Sequence, residues 1–342
     1  MIEKQSVFTE VEKIPRKQAP DTLISGCLVL EGGGFRGMYT SGVLDCLMEE
    51  GINFSCTIGV SAGALNGLNY AAGQIGRSAR FNLQYRWDSR YLGVQAYRAN
   101  HGIIGFDFVL DEYNRFDPLN AQVFYREDRR FVAVATSCLT GKAEYFEKGK
   151  CRELMKAVQA SASIPYVSRP VEVEGIPCLD GGCADRVPFQ WALDEGYEKI
   201  LVVRTRTREY RDKPNPKTAH VAKRFYRNYP EFARVLAETD ESYNRQCDTM
   251  DSLQSQGRIF VIHPSQTPTV KMLEKDLGKL LDLYQLGYRD AQAQLPALRT
   301  YLGMGKERTH EAVQLGGPAF RAVHRLPRPP VGKAGARRPA AF

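Results

Sequence analysis

Two apolar runs constrain what this chain can fold into more than any other feature. Phe131-Val132-Ala133-Val134-Ala135 and Ile200-Leu201-Val202-Val203 carry apolar side chains at every position. A strand with one wetted face would alternate, so these segments require cover on both faces. Further strand candidates lie at 27–31, 54–59, 143–148 and 258–263. Helical patterns fall at 37–50, 62–73, 75–88, 106–115, 152–162 and 188–196. Buried strands separated by helices predict an α/β chain, a three-layer α/β/α sandwich around a mostly parallel sheet. Residues 213–256 lack a strand signal and read as helical apart from Pro230, an insertion between the last two strands. Two more helices, about 267–286 and 288–301, close the body. The expected organisation is an extension over 1–22, a domain over 23–265, C-terminal helices over 266–312 packed on it, and a tail over 313–342.

Composition narrows the function classes. The chain is 43% hydrophobic and 25% charged, a globular balance. Its most apolar window, 56–73, is mostly Gly, Ala and Ser and contains Asn66 and Asn69, so no membrane span is expected. The first residues are charged, without the apolar core of a secretory signal. Eight cysteines form no C-x-x-C pair, and Cys178 and Cys183 have no histidine at metal-ligand spacing. Free thiols in a reducing cytoplasm follow, with no metal or cofactor expected. The net charge of +8 invites nucleic acid or anionic lipid. However, Arg321, Arg325, Arg328, Lys333, Arg337 and Arg338 all follow the last acidic residue, Glu311, leaving only +2 for the rest. That Pro-, Gly- and Arg-rich tail is expected to be disordered, and nucleic-acid binding would rest on it alone.

Three constellations carry chemistry. In CLVLEGGGFRG, Gly32, Gly34 and Gly37 spell G-x-G-x-x-G behind a strand, a turn that presents backbone amides to a pyrophosphate or another oxyanion. A dinucleotide site requires an acidic residue about 20 positions on, where this chain has Thr57, Ile58, Gly59 and Ser61. An oxyanion hole from Gly32, Gly33 and Gly34, with Arg36 beside it, is the better reading. Gly59-Val60-Ser61-Ala62-Gly63 follows the next strand as G-x-S-x-G, the turn that lifts a serine nucleophile out of the backbone. Such a serine needs a base. Asp180, ahead of Gly181 and Gly182, is one candidate, although Asp-Gly pairs also simply start turns. His263, in RIFVIHP, is the other, giving the chain order Ser–Asp–His.

GGGFRG, GVSAG and DGG, in this order and spacing, resemble the patatin-like phospholipase family. SASIPYVSRPVEVEGIPCLDGG and VPFQWALDEGYEKILVVRTR add to the likeness, which spans about residues 24 to 265. The resemblance implies a Ser–Asp dyad without histidine, Ser61 as nucleophile and Asp180 as its base. It also implies an oxyanion hole at Gly32–Gly34 with Arg36, an elbow braced by Gly59 and Gly63, and support from Gly37, Gly181 and Gly182. The expected activity is hydrolysis of acyl esters of phospholipids or related lipids, of phospholipase A or lysophospholipase type. A general esterase or thioesterase, or a non-catalytic acyl-binding protein on the same fold, are the alternatives. Segments 81–98 and 221–236 mix aromatic residues with Lys and Arg. That pattern suits peripheral contact with an anionic membrane, and equally a helix that turns its aromatic face to the core. No feature speaks to oligomeric state.

Overall fold

In the computed structural model, the described residues are 11–215 and 217–304. The basic tail expected over 313–342 lies outside them. Ten strands follow in chain order: β1 Lys17–Gln18, β2 Ile24–Leu30, β3 Phe54–Val60, β4 Gln74–Ile75, β5 Arg130–Ser137, β6 Ala143–Glu147, β7 Val171–Val173, β8 Ile176–Asp180, β9 Ile200–Val203 and β10 Phe260–Ile262. The helices are α1 Gly37–Glu49, α2 Ala62–Ala71, α3 Arg77–Tyr85, α4 Val94–Asn100, α5 Ala121–Phe124, α6 Leu154–Ser161, α7 Phe189–Asp194, α8 Lys217–Phe225, α9 Pro230–Ser255 and α10 Leu277–Leu302. The helix expected over 106–115 is a π-helical turn, Asp107–Glu112, running into a 3-10 turn, Tyr113–Arg115.

The main sheet has the order β10-β9-β2-β3-β5-β8-β7, with β6 also on β5, while β1 and β4 pair separately. From β10 to β5 every neighbour is parallel, and β6, β7 and β8 add antiparallel pairs. The all-apolar strands have the two-sided burial their sequences demand. Leu28 and Leu30 of β2, with Leu201 and Val203 of β9, join one core cluster, whereas Cys27, Val29, Ile200 and Val202 join another on the opposite face. Successive side chains thus fill different layers, as the two-residue period of a strand requires. This is the expected three-layer α/β/α sandwich.

The helical stretch near the C-terminus differs from the sequence reading. A single helix, α10, runs through Gly287, where a break between two helices is expected. Gly287 is a contact surface instead, because a Cβ there would strike the Tyr39 carbonyl of α1. Gly42 of α1 in turn meets the Tyr284 carbonyl of α10. The two small residues let the helix backbones touch. Asp276 caps the start of α10 by accepting the Lys279 N–H at 3.1 Å. Gly303 ends it in the left-handed region, with φ of 72°. Pro230 opens α9 at its first position, where its missing N–H costs nothing.

Candidate active site

Sheet register brings the serine and the aspartate together. On β5, Val60 of β3 lies opposite Val134, and Asp180 of β8 lies opposite Ala135. Because β6 occupies the other edge of β5 over 132–136, β8 takes the edge that β3 leaves above Val134. Two strands therefore meet end to end, with Ser61 following one and Asp180 ending the other. Ser61 Oγ donates to Asp180 Oδ2 at 2.7 Å.

Ser61 sits at the turn between β3 and α2 with φ of 56° and ψ of −122°. A non-glycine residue there stores roughly 1–3 kcal/mol, which the surroundings must hold. Gly59 and Gly63 hold it by letting backbones touch: a Cβ at Gly59 would lie 2.5 Å from the Gly63 carbonyl, and one at Gly63 would strike the Leu30 carbonyl. The Ser61 N–H donates to Ser161 Oγ at 2.9 Å, at the buried end of α6. Ser61 also starts α2, its carbonyl accepting the Ala64 and Leu65 N–H groups at 3.0 and 3.2 Å.

Asp180 is held from several directions. Its N–H donates to the Ser163 carbonyl at 3.0 Å, its carbonyl accepts from Thr136 Oγ1 at 2.9 Å, and its Oδ1 accepts the Gly182 N–H at 2.8 Å. A Cβ at the neighbouring Gly181 would strike the Val134 carbonyl. Withdrawal of water from the carboxylate pushes its pKa up to about 6. The Gly182 N–H, the Ser61 hydroxyl and the charge of Arg186 oppose that rise.

The glycine turn lies alongside. Gly32, Gly33, Gly34, Arg36 and Gly37 line the same cavity, of about 390 Å³, as Ser61, Asp180 and Gly182. Among the described residues, the amides of Gly32, Gly33 and Gly34 have no hydrogen-bond acceptor. The flanking amides of Glu31 and Phe35 donate to the Val203 and Met272 carbonyls, at 3.1 and 3.0 Å. Arg36 Nε is buried without a hydrogen-bond partner, and burial holds the guanidinium below its usual pKa. The cavity lining combines apolar side chains, among them Leu65, Leu68, Phe81, Leu92, Ile104 and Leu110, with the polar Arg36, Arg186, Arg206 and Asp240.

The geometry sets His263 apart. It follows β10, three places from β3 in the sheet, about 14 Å at ordinary strand spacing. Its ring contacts the Pro264 carbonyl, and it does not line the cavity. Among the described residues, no cluster of three or more His, Cys, Asp or Glu side chains is placed to hold a metal ion. No described helix is long and apolar enough to cross a membrane.

Residues 28–193 match the sequence model of the patatin-like phospholipases. These residues are a patatin-like phospholipase domain. Residues 229–303 match a second family, a domain of unknown function (DUF6363). Uncharacterized protein YjjU of Escherichia coli (strain K12) is 30% identical over 52% of this chain and 51% of its own length. An uncharacterized NTE family protein of Mycobacterium bovis is 34% identical over 47% of this chain and 44% of its own. Lysophospholipase nte1 of Aspergillus terreus is 28% identical over 52% of this chain but only 12% of its own. The chain thus spans about half the length, or less, of the curated relatives it matches. The crystal structure of VipD from Legionella pneumophila aligns over 83% of this chain and 70% of its own, at 13% identity and a TM-score of 0.43, too loose to bear on the site.

Within the patatin domain the sequence reading overlooked Ser161, which receives the Ser61 amide, and Thr136, which holds the Asp180 carbonyl. Thr136 lies in an apolar strand far from any motif, and Ser161, although it opens the SASIPYVSRPVEVEGIPCLDGG segment, belongs to no motif that marks it as a brace. Thr205, beyond the patatin match, touches the glycine turn and was equally hidden.

Proposed function

We propose that this protein is a serine acyl hydrolase that cleaves fatty-acyl esters of phospholipids or related lipids. The 2.7 Å bond from Ser61 Oγ to Asp180 Oδ2, made at a strained elbow, carries this reading. Ser61 Oγ attacks the ester carbonyl while Asp180 accepts its proton, and free amides of the Gly32–Gly34 turn stabilise the oxyanion. The alcohol departs with the proton from Asp180, leaving acyl-Ser61. Water, deprotonated by the same carboxylate, then releases the fatty acid. A carboxylate with a pKa near 6 is a better base than an ordinary one and is still ionised at neutral pH. The apolar lining residues of the cavity suit the acyl chain.

Two features support a peripheral role in the cytoplasm. All eight cysteines are unpaired, and Cys27 and Cys56 stand opposite each other on β2 and β3 as free thiols, which fits a reducing compartment. Val221 and Phe225 are exposed on α8, and Tyr166, next to the cavity-lining Pro165, packs its ring on Phe225 at 5.2 Å. Lys213, Lys217, Lys223, Arg224 and Arg227 surround them in a stretch with no carboxylate, and none of the five is ion-paired among the described residues. Apolar side chains ringed by free cations suit an anionic lipid surface.

The test is labelling with an acyl-chain fluorophosphonate, read by intact mass. Wild type takes one adduct, Ser61→Ala takes none, and Asp180→Ala reacts far more slowly. An adduct that persists in Ser61→Ala would overturn the assignment. A folded wild type that takes none would shift it to acyl binding without turnover.

A further inference from the structure

The glycine turn is held from outside the patatin domain. Glu31, 1% exposed, directs one carboxylate oxygen to the Thr205 N–H and the other to the Tyr243 hydroxyl, the latter at 2.7 Å. Thr205 Oγ1 donates to the Gly32 carbonyl at 3.1 Å. Met272 accepts the Phe35 N–H at 3.0 Å, and a Cβ at Gly34 (φ of 57°) would lie 2.5 Å from the same Met272 carbonyl. Tyr243 and Met272 both belong to residues 229–303, the region that matches a family of unknown function.

These bonds determine where the free amides point. In a planar trans peptide the C=O and the following N–H project to opposite sides. Thr205 draws the Gly32 carbonyl one way, so the Gly33 N–H is sent the other. The Gly33 carbonyl accepts the Arg36 N–H at 3.2 Å, which orients the Gly34 N–H in the same manner. Tyr243 is itself fixed, with the Arg186 guanidinium 4.3 Å over its ring and Arg204 Nη2 donating to its hydroxyl at 3.3 Å.

We propose that residues 229–303, acting through Tyr243 and Met272 and relayed by Glu31 and Thr205, form a clamp that aims the Gly33 and Gly34 amides at the developing oxyanion. The function of this C-terminal region is to keep the patatin turn catalytically competent. The proposal rests on the acyl-hydrolase reading above. Thr205 and Tyr243 do not line the cavity, so they are positioning residues that touch no substrate.

The experiment compares full-length wild type, Thr205→Val, Thr205→Ser and Tyr243→Phe. With a neutral soluble ester, Thr205→Val should lose about tenfold to a hundredfold in kcat with little change in KM, somewhat less than the loss of a whole oxyanion donor. Thr205→Ser, which keeps the hydroxyl, should restore most of the rate. Amide exchange followed by mass spectrometry should speed up in peptides covering Leu30–Met38 of Thr205→Val and Tyr243→Phe, while peptides covering Val60–Leu68 keep wild-type rates. Tyr243→Phe serves alone where Thr205→Val fails to fold. Unchanged kcat with unchanged exchange would overturn the clamp, as would a loss that Thr205→Ser does not repair. If wild type shows no Ser61-dependent turnover, the hydrolase reading fails, and the exchange data still decide whether the turn is clamped.

Discussion

The two glycine-rich turns at the carboxyl edge of the sheet have similar sequences, yet different things hold them. The elbow at Gly59–Gly63 is braced by its own strand and helix and by the strand next door, backbone against backbone. The Gly32–Gly37 turn is braced by groups far along the chain: Thr205, Tyr243 and Met272. One turn must hold a strained serine, and close backbone packing does most of that, with Ser161 of α6 accepting the Ser61 N–H. The other must leave three amides unpaired, which local hydrogen bonding would defeat, so its restraint comes from outside. A motif can therefore mark a site without containing the groups that make the site work.

The sharpest way to break that contrast is one added methyl group in each turn. In Gly63→Ala the new Cβ would strike the Leu30 carbonyl and lie 2.9 Å from that of Glu31, both backbone atoms that cannot step aside. We expect a loss of about 2–3 kcal/mol in unfolding free energy, or no folded protein, by denaturant titration. In Gly33→Ala the Cβ would meet Thr205 Oγ1 at 2.8 Å, a side-chain atom that can rotate away. Stability should fall by less than about 1 kcal/mol, while kcat drops more than about tenfold as the Gly32 carbonyl is released. Equal stability losses in the two variants would show that both turns are braced alike.

A second effect, smaller at neutral pH, probes the aspartate. Asp180 accepts a proton only as carboxylate, and burial has moved its pKa up from 3.8 to about 6. The shift is upward, so activity should be full above that value and be lost as pH falls through it. An ordinary carboxylate would sustain the rate to about pH 4. A profile of kcat/KM for a neutral ester should show a one-proton limb near pH 6. Arg186 holds this carboxylate down, so Arg186→Gln should move the limb to higher pH. A limb near 4 in wild type would mean that the group is solvated during turnover.

Much of this was legible because it is local. The all-apolar strands, the elbow and the glycine turn each announce themselves within a dozen residues. The hairpin that delivers Asp180 was harder to read. β7 and β8 are short, with Pro170 just before the first and Pro177 inside the second, so neither stood out as a strand. Its one readable sign was the Glu174-Gly175 turn, where both residues take positive φ (49° and 83°) as two-residue hairpins favour. Gly287 misled in the other direction, since a glycine inside a helical pattern reads as a break until a partner helix is seen against it. The clamp was out of reach of any local pattern: Thr205 and Tyr243 lie 174 and 212 residues from Glu31. His263 had the right place in the chain order but the wrong strand.

The smallest expected effect lies outside both turns, on α8 and the residues just after it. Lys223, Arg224 and Arg227 are exposed beside Val221 and Phe225, and among the described residues they have no carboxylate partners to lose. Reversing all three to glutamate should therefore leave folding and hydrolysis of a soluble ester unchanged. Each cation near an anionic surface contributes up to about 1 kcal/mol, so binding to vesicles of mixed phosphatidylcholine and phosphatidylserine should weaken at least tenfold or so. Vesicle hydrolysis should fall in parallel, and added salt should narrow the gap between variant and wild type. Val221→Ser with Phe225→Ser separates the apolar part, which salt should not screen. If vesicle binding and hydrolysis survive both sets of changes, the face around α8 is ordinary solvated surface. Substrate would then reach Ser61 from solution, and the chain's preference among esters would rest on the cavity alone.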